Sequence, residues 1–152
     1  MEGARLADRV VLAACLLGVG LIAWLLGVRE SDRRSDCRTL LDTLRPGLAE
    51  ISRREQDPAY AAASPEALKA VSTAYADLAQ SLQNASLSDA GKPAADAYAR
   101  ALRDVVRGYD ELGVALTARD EGRLKNATST LFDAGGRERR ATNVFLGLCG
   151  KR

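Results

Sequence analysis

The chain has 152 residues, of which 47% are hydrophobic, and it carries 22 basic against 20 acidic residues. This length accommodates one membrane anchor and one modest domain, and the near balance of charge leaves no basic footprint for a nucleic-acid partner. The sequence contains no histidine, which removes the imidazole base of Ser-His and Cys-His catalysis and the usual ligand sets for zinc and di-iron.

An uncharged run at residues 10–28 follows a short tail at residues 1–9 and ends before Arg29. At ~1.5 Å per residue the run reaches roughly 28 Å, about the thickness of the hydrocarbon core of a bilayer. It therefore predicts a transmembrane helix that acts as an uncleaved signal anchor. Cys15 closes the letters LAAC, which resemble a lipoprotein cleavage box. Cleavage there would leave an apolar region shorter than the roughly 7–15 residues of a secretory signal. We therefore expect Cys15 to be an ordinary residue of the membrane helix, and its lipidation is the alternative.

The anchored end of the chain predicts two kinds of contact. Small residues occur within the run as two pairs with a spacing of four, Ala14/Gly18 and Ala23/Gly27. They would let membrane helices pack closely, so a weak homo-oligomer through this helix is expected. Six basic residues are candidates for contact with anionic lipid headgroups: Arg29, Arg33, Arg34, Arg38, Lys151 and Arg152.

Two observations bear on the side of the membrane that holds residues 29–152. More arginines follow the uncharged run than precede it, but the positive-inside rule has little weight for a long domain. Cys37 opens this domain and Cys149 nearly closes it, with no cysteine between them. Such a pair predicts a disulfide and an oxidising compartment, although two free buried thiols remain the alternative. We expect a single-pass membrane protein whose C-terminal domain is exported to the bacterial periplasm or the cell exterior.

The domain has helical periodicity throughout and predicts four helices at about residues 30–55, 65–85, 92–118 and 120–149. The first helix should continue from the anchor, with a kink at Pro46. Its apolar seam is predicted at Cys37, Leu41, Leu44, Leu48 and Ile51. The second should begin at Ser64, Pro65 and Glu66, which supply a cap, a first-turn proline and an acid at the positive end of the helix dipole.

The fourth helix contains a conflict between its pattern and its residues. Its apolar phase continues on both sides of Gly135 and Gly136, and it places Glu138 on the buried seam. Glycine weakens a helix interior. We therefore expect a bend or break at the two glycines that lets Glu138 reach solvent.

Four helices with seams of alternating three and four residues fit an all-α fold, namely an antiparallel up-down four-helix bundle after the N-terminal transmembrane helix. The cysteines support this count independently. In an up-down bundle, the start of the first helix and the end of the last lie at the same end only when the number of helices is even. A Cys37–Cys149 bridge would then contribute about 4–5 kcal/mol in the chain-entropy model.

The motifs point away from catalysis. The sequence has no Ser-x-x-Lys pair and no glycine-rich phosphate loop, so we predict no catalytic residue, cofactor or metal site. The leading hypothesis is a non-enzymatic interaction or structural module at the cell envelope, with a protein partner of unknown identity. The alternative is a small-ligand binding or sensing domain whose interhelical cavity is lined by three tyrosines on predicted seams: Tyr75, Tyr98 and Tyr109.

Overall fold

The structure is a computed structural model that describes the backbone of residues 2–150 and the side chains of residues 29–145, 147, 149 and 150. The described chain is all-helical and has no strand, as predicted. Its elements are α1 (Glu2–Glu55), α2 (Pro58–Ala61), α3 (Pro65–Gln83), α4 (Lys92–Ala118) and α5 (Glu121–Gly150).

No helix within the part of the chain whose side chains are described is long and apolar enough to cross a membrane. The uncharged run at residues 10–28, with Cys15, lies outside that part. Lys151 and Arg152 also lie outside the described residues. The anchor and its packing therefore remain predictions.

The long helices form a closed helical bundle in which neighbours contact each other in reverse order along the chain. Each of α1 and α4 packs against both α3 and α5, and α1 and α5 meet less extensively than the other neighbouring pairs. The pairing between α4 and α5 illustrates the reversal, because Tyr98 contacts Glu138 whereas Gly108 lies against Leu131. Helices α4 and α5 thus run in opposite directions.

The buried stripe of α1 differs from the predicted seam. Leu44 and Ile51 are buried as expected, but Leu40 replaces Leu41, and Leu41 and Leu48 keep 41% and 42% of their surface exposed. The reason is the close approach of α1 to α3. A side chain at position 47 would not fit, because a Cβ placed on Gly47 would lie only 2.5 Å from Leu78 Cδ1. The glycine lets the two helices approach, and Leu41 and Leu48 are left at the looser boundary with α5.

Two local predictions concern prolines. Helix α1 runs through Pro46 without ending, although proline cannot donate a hydrogen bond to the preceding turn. Helix α3 begins as predicted, because the Ser64 side chain accepts a hydrogen bond from the backbone N–H of Ala67 and Pro65 occupies the first turn. Glu66 supplies the acid in that turn.

The break predicted in α5 at Gly135 and Gly136 does not occur, and Glu138 does not leave the seam for solvent as expected. The helix continues without interruption past Gly135 and Gly136, and Glu138 stays on the seam in a half-buried position. Its carboxylate accepts hydrogen bonds from the Tyr98 hydroxyl at 2.8 Å and the Thr142 hydroxyl at 3.1 Å. Because these two donors replace water, the carboxylate has no need to leave the interior.

A buried aspartate attaches the α3–α4 connection to α1. The Asp36 side chain is 4% exposed, and its two oxygens accept hydrogen bonds from the backbone N–H of Ser88 at 2.8 Å and from the Ser88 hydroxyl at 2.5 Å. Gly91 lies against the same carboxylate, where a Cβ would clash. The contact fixes the connection at the end of the bundle that carries the two domain cysteines.

Replacement of Asp36 by alanine should therefore destabilise the fold. The substitution leaves the Ser88 donors without their acceptor in a buried place, and we expect a loss of about 1–3 kcal/mol in the free energy of unfolding. Urea unfolding of the purified full chain measures this loss. Asp32→Ala is the matched control, because Asp32 is an exposed aspartate one turn earlier on α1, and an equal loss in both variants would contradict the role of Asp36.

Candidate functional site

The two cysteines of the domain are bonded to each other. Cys37 on α1 and Cys149 near the end of α5 are 112 residues apart in sequence, and their Cα atoms lie 5.5 Å apart. The predicted pairing is confirmed. The bridge connects α1 to α5 at the end of the bundle nearest residue 29, and so it joins the two neighbouring long helices that otherwise meet least.

Three tyrosines and a glutamate form a polar cluster toward the opposite end of the bundle. The Tyr60 and Tyr109 hydroxyl oxygens are 2.8 Å apart, and Tyr75 and Tyr109 donate hydrogen bonds to Glu55 Oε1 at 3.3 and 3.5 Å. The Tyr75 and Tyr109 rings stack with centroids 5.8 Å apart, and the Tyr60 ring lies 6.3 Å from that of Tyr109. The cluster therefore connects α1, α2, α3 and α4.

The three tyrosines predicted to share one cavity are thus divided. Tyr75 and Tyr109 belong to this cluster, whereas Tyr98 lies in the other part of the core and donates to Glu138. Sequence reasoning missed Tyr60, which it assigned to a connection. The signal that could have identified this helical turn was Asp57 followed by Pro58. The Asp57 side chain caps the single turn of α2, which carries Tyr60.

Burial holds the phenols of the interior in their neutral form. It raises the pKa of Tyr98 to about 12, with a further contribution from the Glu138 carboxylate. Burial also raises the pKa of Tyr75, which faces Glu55, and that of Tyr109, which is bonded to Tyr60. These hydroxyls act as hydrogen-bond donors and not as bases near neutral pH.

The predicted headgroup contacts that the structure describes lie at the start of the domain, and two of them form ion pairs with an acidic residue of the same helix. Arg33 and Arg34 both donate to Glu30, at 2.9 and 3.0 Å. These hydrogen bonds lower the pKa of the Glu30 carboxyl. Arg29 and Arg38 are exposed. Four of the six predicted basic residues therefore lie within residues 29–38 of α1, and the other two fall outside the described residues.

Two open grooves run along α1 on the side of α5. The first, here called the arginine groove, has a volume of about 360 Å³ and is lined mainly by Arg33, Arg34, Arg38, Arg45, Cys37 and Cys149. The second, here called the apolar cleft, also has a volume of about 360 Å³ and is lined mainly by Leu41, Leu44, Leu48, Tyr98 and Phe145. Leu41 and Arg45 line both, so the two grooves are continuous.

A third groove lies between α3 and α4 and has a volume of about 520 Å³. Tyr109 borders it, together with Lys69 and Asp110. The Asp110 carboxylate accepts from Lys69 Nζ at 3.2 Å and from the buried Ser72 hydroxyl at 2.9 Å. Its polar groups are therefore paired within the chain.

The described side chains do not assemble a metal centre, because no three or more cysteine, aspartate or glutamate residues among them are placed to hold an ion. Every buried side-chain nitrogen or oxygen among them has a hydrogen-bond partner. The comparisons with known proteins are negative: no family model, no curated protein and no solved structure matches the chain.

The raised tyrosine pKa values predict a loss of stability at alkaline pH. A phenol that ionises at about pH 10 in the unfolded chain but higher in the folded one stabilises the fold fully below pH 10, and this contribution is lost as the pH rises toward 12. Urea unfolding across this range should show a falling free energy of unfolding. Tyr98→Phe should reduce the slope of that fall, and a native protein whose tyrosines all ionise near pH 10 would contradict the account.

Proposed function

We propose that this chain is a non-enzymatic, single-span membrane protein that presents an exported, disulfide-closed helical bundle as an interaction or structural module at the cell envelope. The observation that carries the proposal is the extent of α1, one helix from Glu2 to Glu55. The same helix thus contains the uncharged run at residues 10–28 and supplies one wall of the bundle. A chain built this way would hold its bundle directly at the membrane surface.

The disulfide supports export. Bonded cysteines persist in oxidising compartments such as the periplasm or the cell exterior, and they are rare in the cytosol. The bridge also attaches the end of α5 to α1 at the membrane-proximal end of the proposed arrangement. The reversed contacts between neighbouring helices support an antiparallel up-down four-helix bundle, with the single turn of α2 as part of a connection.

The use of the polar groups supports a role without catalysis. The groups most suited to covalent or acid–base chemistry are engaged with each other, since Cys37 is bonded to Cys149 and the hydroxyls of Tyr75 and Tyr98 donate to Glu55 and Glu138. A stable network of this kind specifies and stabilises one packing. It leaves the surface grooves as the places where a partner would bind.

The alternative, a sensing domain with a tyrosine-lined cavity, has less support. The interior hydroxyls donate to glutamates of the chain itself, so they are not directed at a ligand. Tyr109 does border the α3/α4 groove of about 520 Å³, but that groove is open to solvent and its Asp110 is already paired.

Membrane topology tests the proposal. Alkaline phosphatase folds only in an oxidising compartment, so its fusion to the C-terminus of the full chain should be active in bacterial cells, and the fusion should resist extraction from membranes by alkaline carbonate. Removal of residues 1–28 is the control and should abolish both properties. An inactive fusion would contradict export, and a full-length fusion that carbonate extracts would contradict the spanning helix.

A further inference from the structure

The continuous surface made by the arginine groove and the apolar cleft changes character along α1. It begins at Arg33 near the disulfide and ends at Leu48, a distance of roughly 22 Å at ~1.5 Å per residue. Its first part is lined mainly by arginines and its second part mainly by leucines and aromatic side chains, and Arg45 lies where the two parts meet. Each half has a volume of about 360 Å³, which falls within the range of small-molecule sites, roughly 300–1,000 Å³.

The apolar half is partly uncovered because α1 and α5 make little contact with each other. Leu41 and Leu48 face the gap and remain 41% and 42% exposed, whereas Tyr98 and Phe145 at its floor are buried. The two leucines follow the heptad spacing of an interface, yet no helix of the described chain covers them. Burial of this surface by another molecule would be favourable, at about 25 cal/mol per Å² of apolar area.

The basic half contains arginines that are available to bind a ligand. Arg33 and Arg34 share Glu30, but Arg38 and Arg45 are exposed and form no ion pair among the described residues. Asp42 is the one acidic residue that lines this groove. The planar guanidinium group binds a carboxylate through two parallel hydrogen bonds, so the groove is complementary to a single anionic head.

We propose that the two grooves together bind a long-chain fatty acid, with its carboxylate on Arg38 and Arg45 and its acyl chain in the apolar cleft along Leu41 and Leu48. This inference rests on the proposed function, because it assumes that the groove lies beside a membrane that supplies such lipids. A single acyl chain with one carboxylate matches a surface that carries arginines toward one end and mainly apolar side chains toward the other.

A second copy of the chain is a poorer occupant. Two copies anchored in one membrane would be related by an axis along α1, and such symmetry brings each surface against the same surface of its mate. Arg38 and Arg45 would then face their own equivalents, with Asp42 as the sole acidic residue in the groove. Repulsion between like charges disfavours this arrangement.

Photolabelling of the full chain in phosphatidylcholine vesicles tests the proposal. The probe is palmitic acid with a diazirine midway along its chain, and the matched probe is the corresponding alcohol, which lacks the carboxylate. Digestion and mass spectrometry locate the adducts. We expect the acid to label residues 41–48 and 141–145 and the alcohol to label them far less, because only the acid forms charge-assisted hydrogen bonds with arginine.

Variants separate the two halves of the site. Arg38→Glu with Arg45→Glu should lower acid labelling of the cleft by about tenfold or more, and Leu48→Asp should also lower it. The matched controls are Arg139→Glu and Phe132→Asp, which alter an exposed arginine and a 75% exposed phenylalanine on α5, away from the grooves. Retention of the disulfide and of helical circular dichroism in each variant shows that the fold is intact.

The outcomes distinguish this inference from the proposed function. Both probes should label residues 10–28 if that run spans the bilayer. Labelling of that run without labelling of the cleft would overturn fatty-acid binding and leave the anchor standing. Equal labelling of the cleft by the acid and the alcohol would also overturn fatty-acid binding, because the carboxylate would then contribute nothing. A cleft covered by a second chain or a partner helix would give the same negative result. Labelling of the cleft without labelling of residues 10–28 would support the site and overturn the anchor.

Discussion

The bridge between Cys37 and Cys149 is the constraint on which the arrangement of the bundle depends. Its partners lie on α1 and α5, the neighbouring pair with the smallest packed boundary. On one side of α1, Gly47 allows the helix to pack closely against α3. The side of α1 that faces α5 is less well covered. The covalent bond therefore connects α1 and α5 where apolar packing between them is sparse, and the open surface lies beside it.

The interior is held together by carboxylates as well as by leucine and alanine. Asp36, Glu55 and Glu138 each accept hydrogen bonds from hydroxyl groups on another helix or connection. Asp36 is buried and the two glutamates are half-buried, and a carboxylate removed from water without such donors would be costly, so each one restricts the relative positions of the elements that it joins. Together they fix the α3–α4 connection to α1, the tyrosine cluster to the end of α1, and α4 to α5.

The all-helical class, the start of α3 and the cysteine pairing could be predicted, because they follow from periodicity, from local capping and from the position of two cysteines at the two ends of the domain. The exposure of Leu41 and Leu48 could not, because it depends on how closely Gly47 lets α1 approach α3. The retention of Glu138 depends on Tyr98, forty residues earlier, and periodicity carries no information on such donors. The tyrosine cluster was not predicted, because the sequence grouped Tyr75 and Tyr109 with Tyr98 in a cavity and Tyr60 lies on no regular seam.

The central claim is that α1 is both membrane anchor and bundle wall, with its bundle closed by a bridge on the oxidising side. Intact mass of the protein from its native membranes, with thiols alkylated before and after reduction, tests it most directly. The account predicts a full-length, lipid-free mass with one of the three cysteines alkylated before reduction and all three after it. A mass that begins at Cys15 with added lipid, or three free thiols in the unreduced protein, would contradict it.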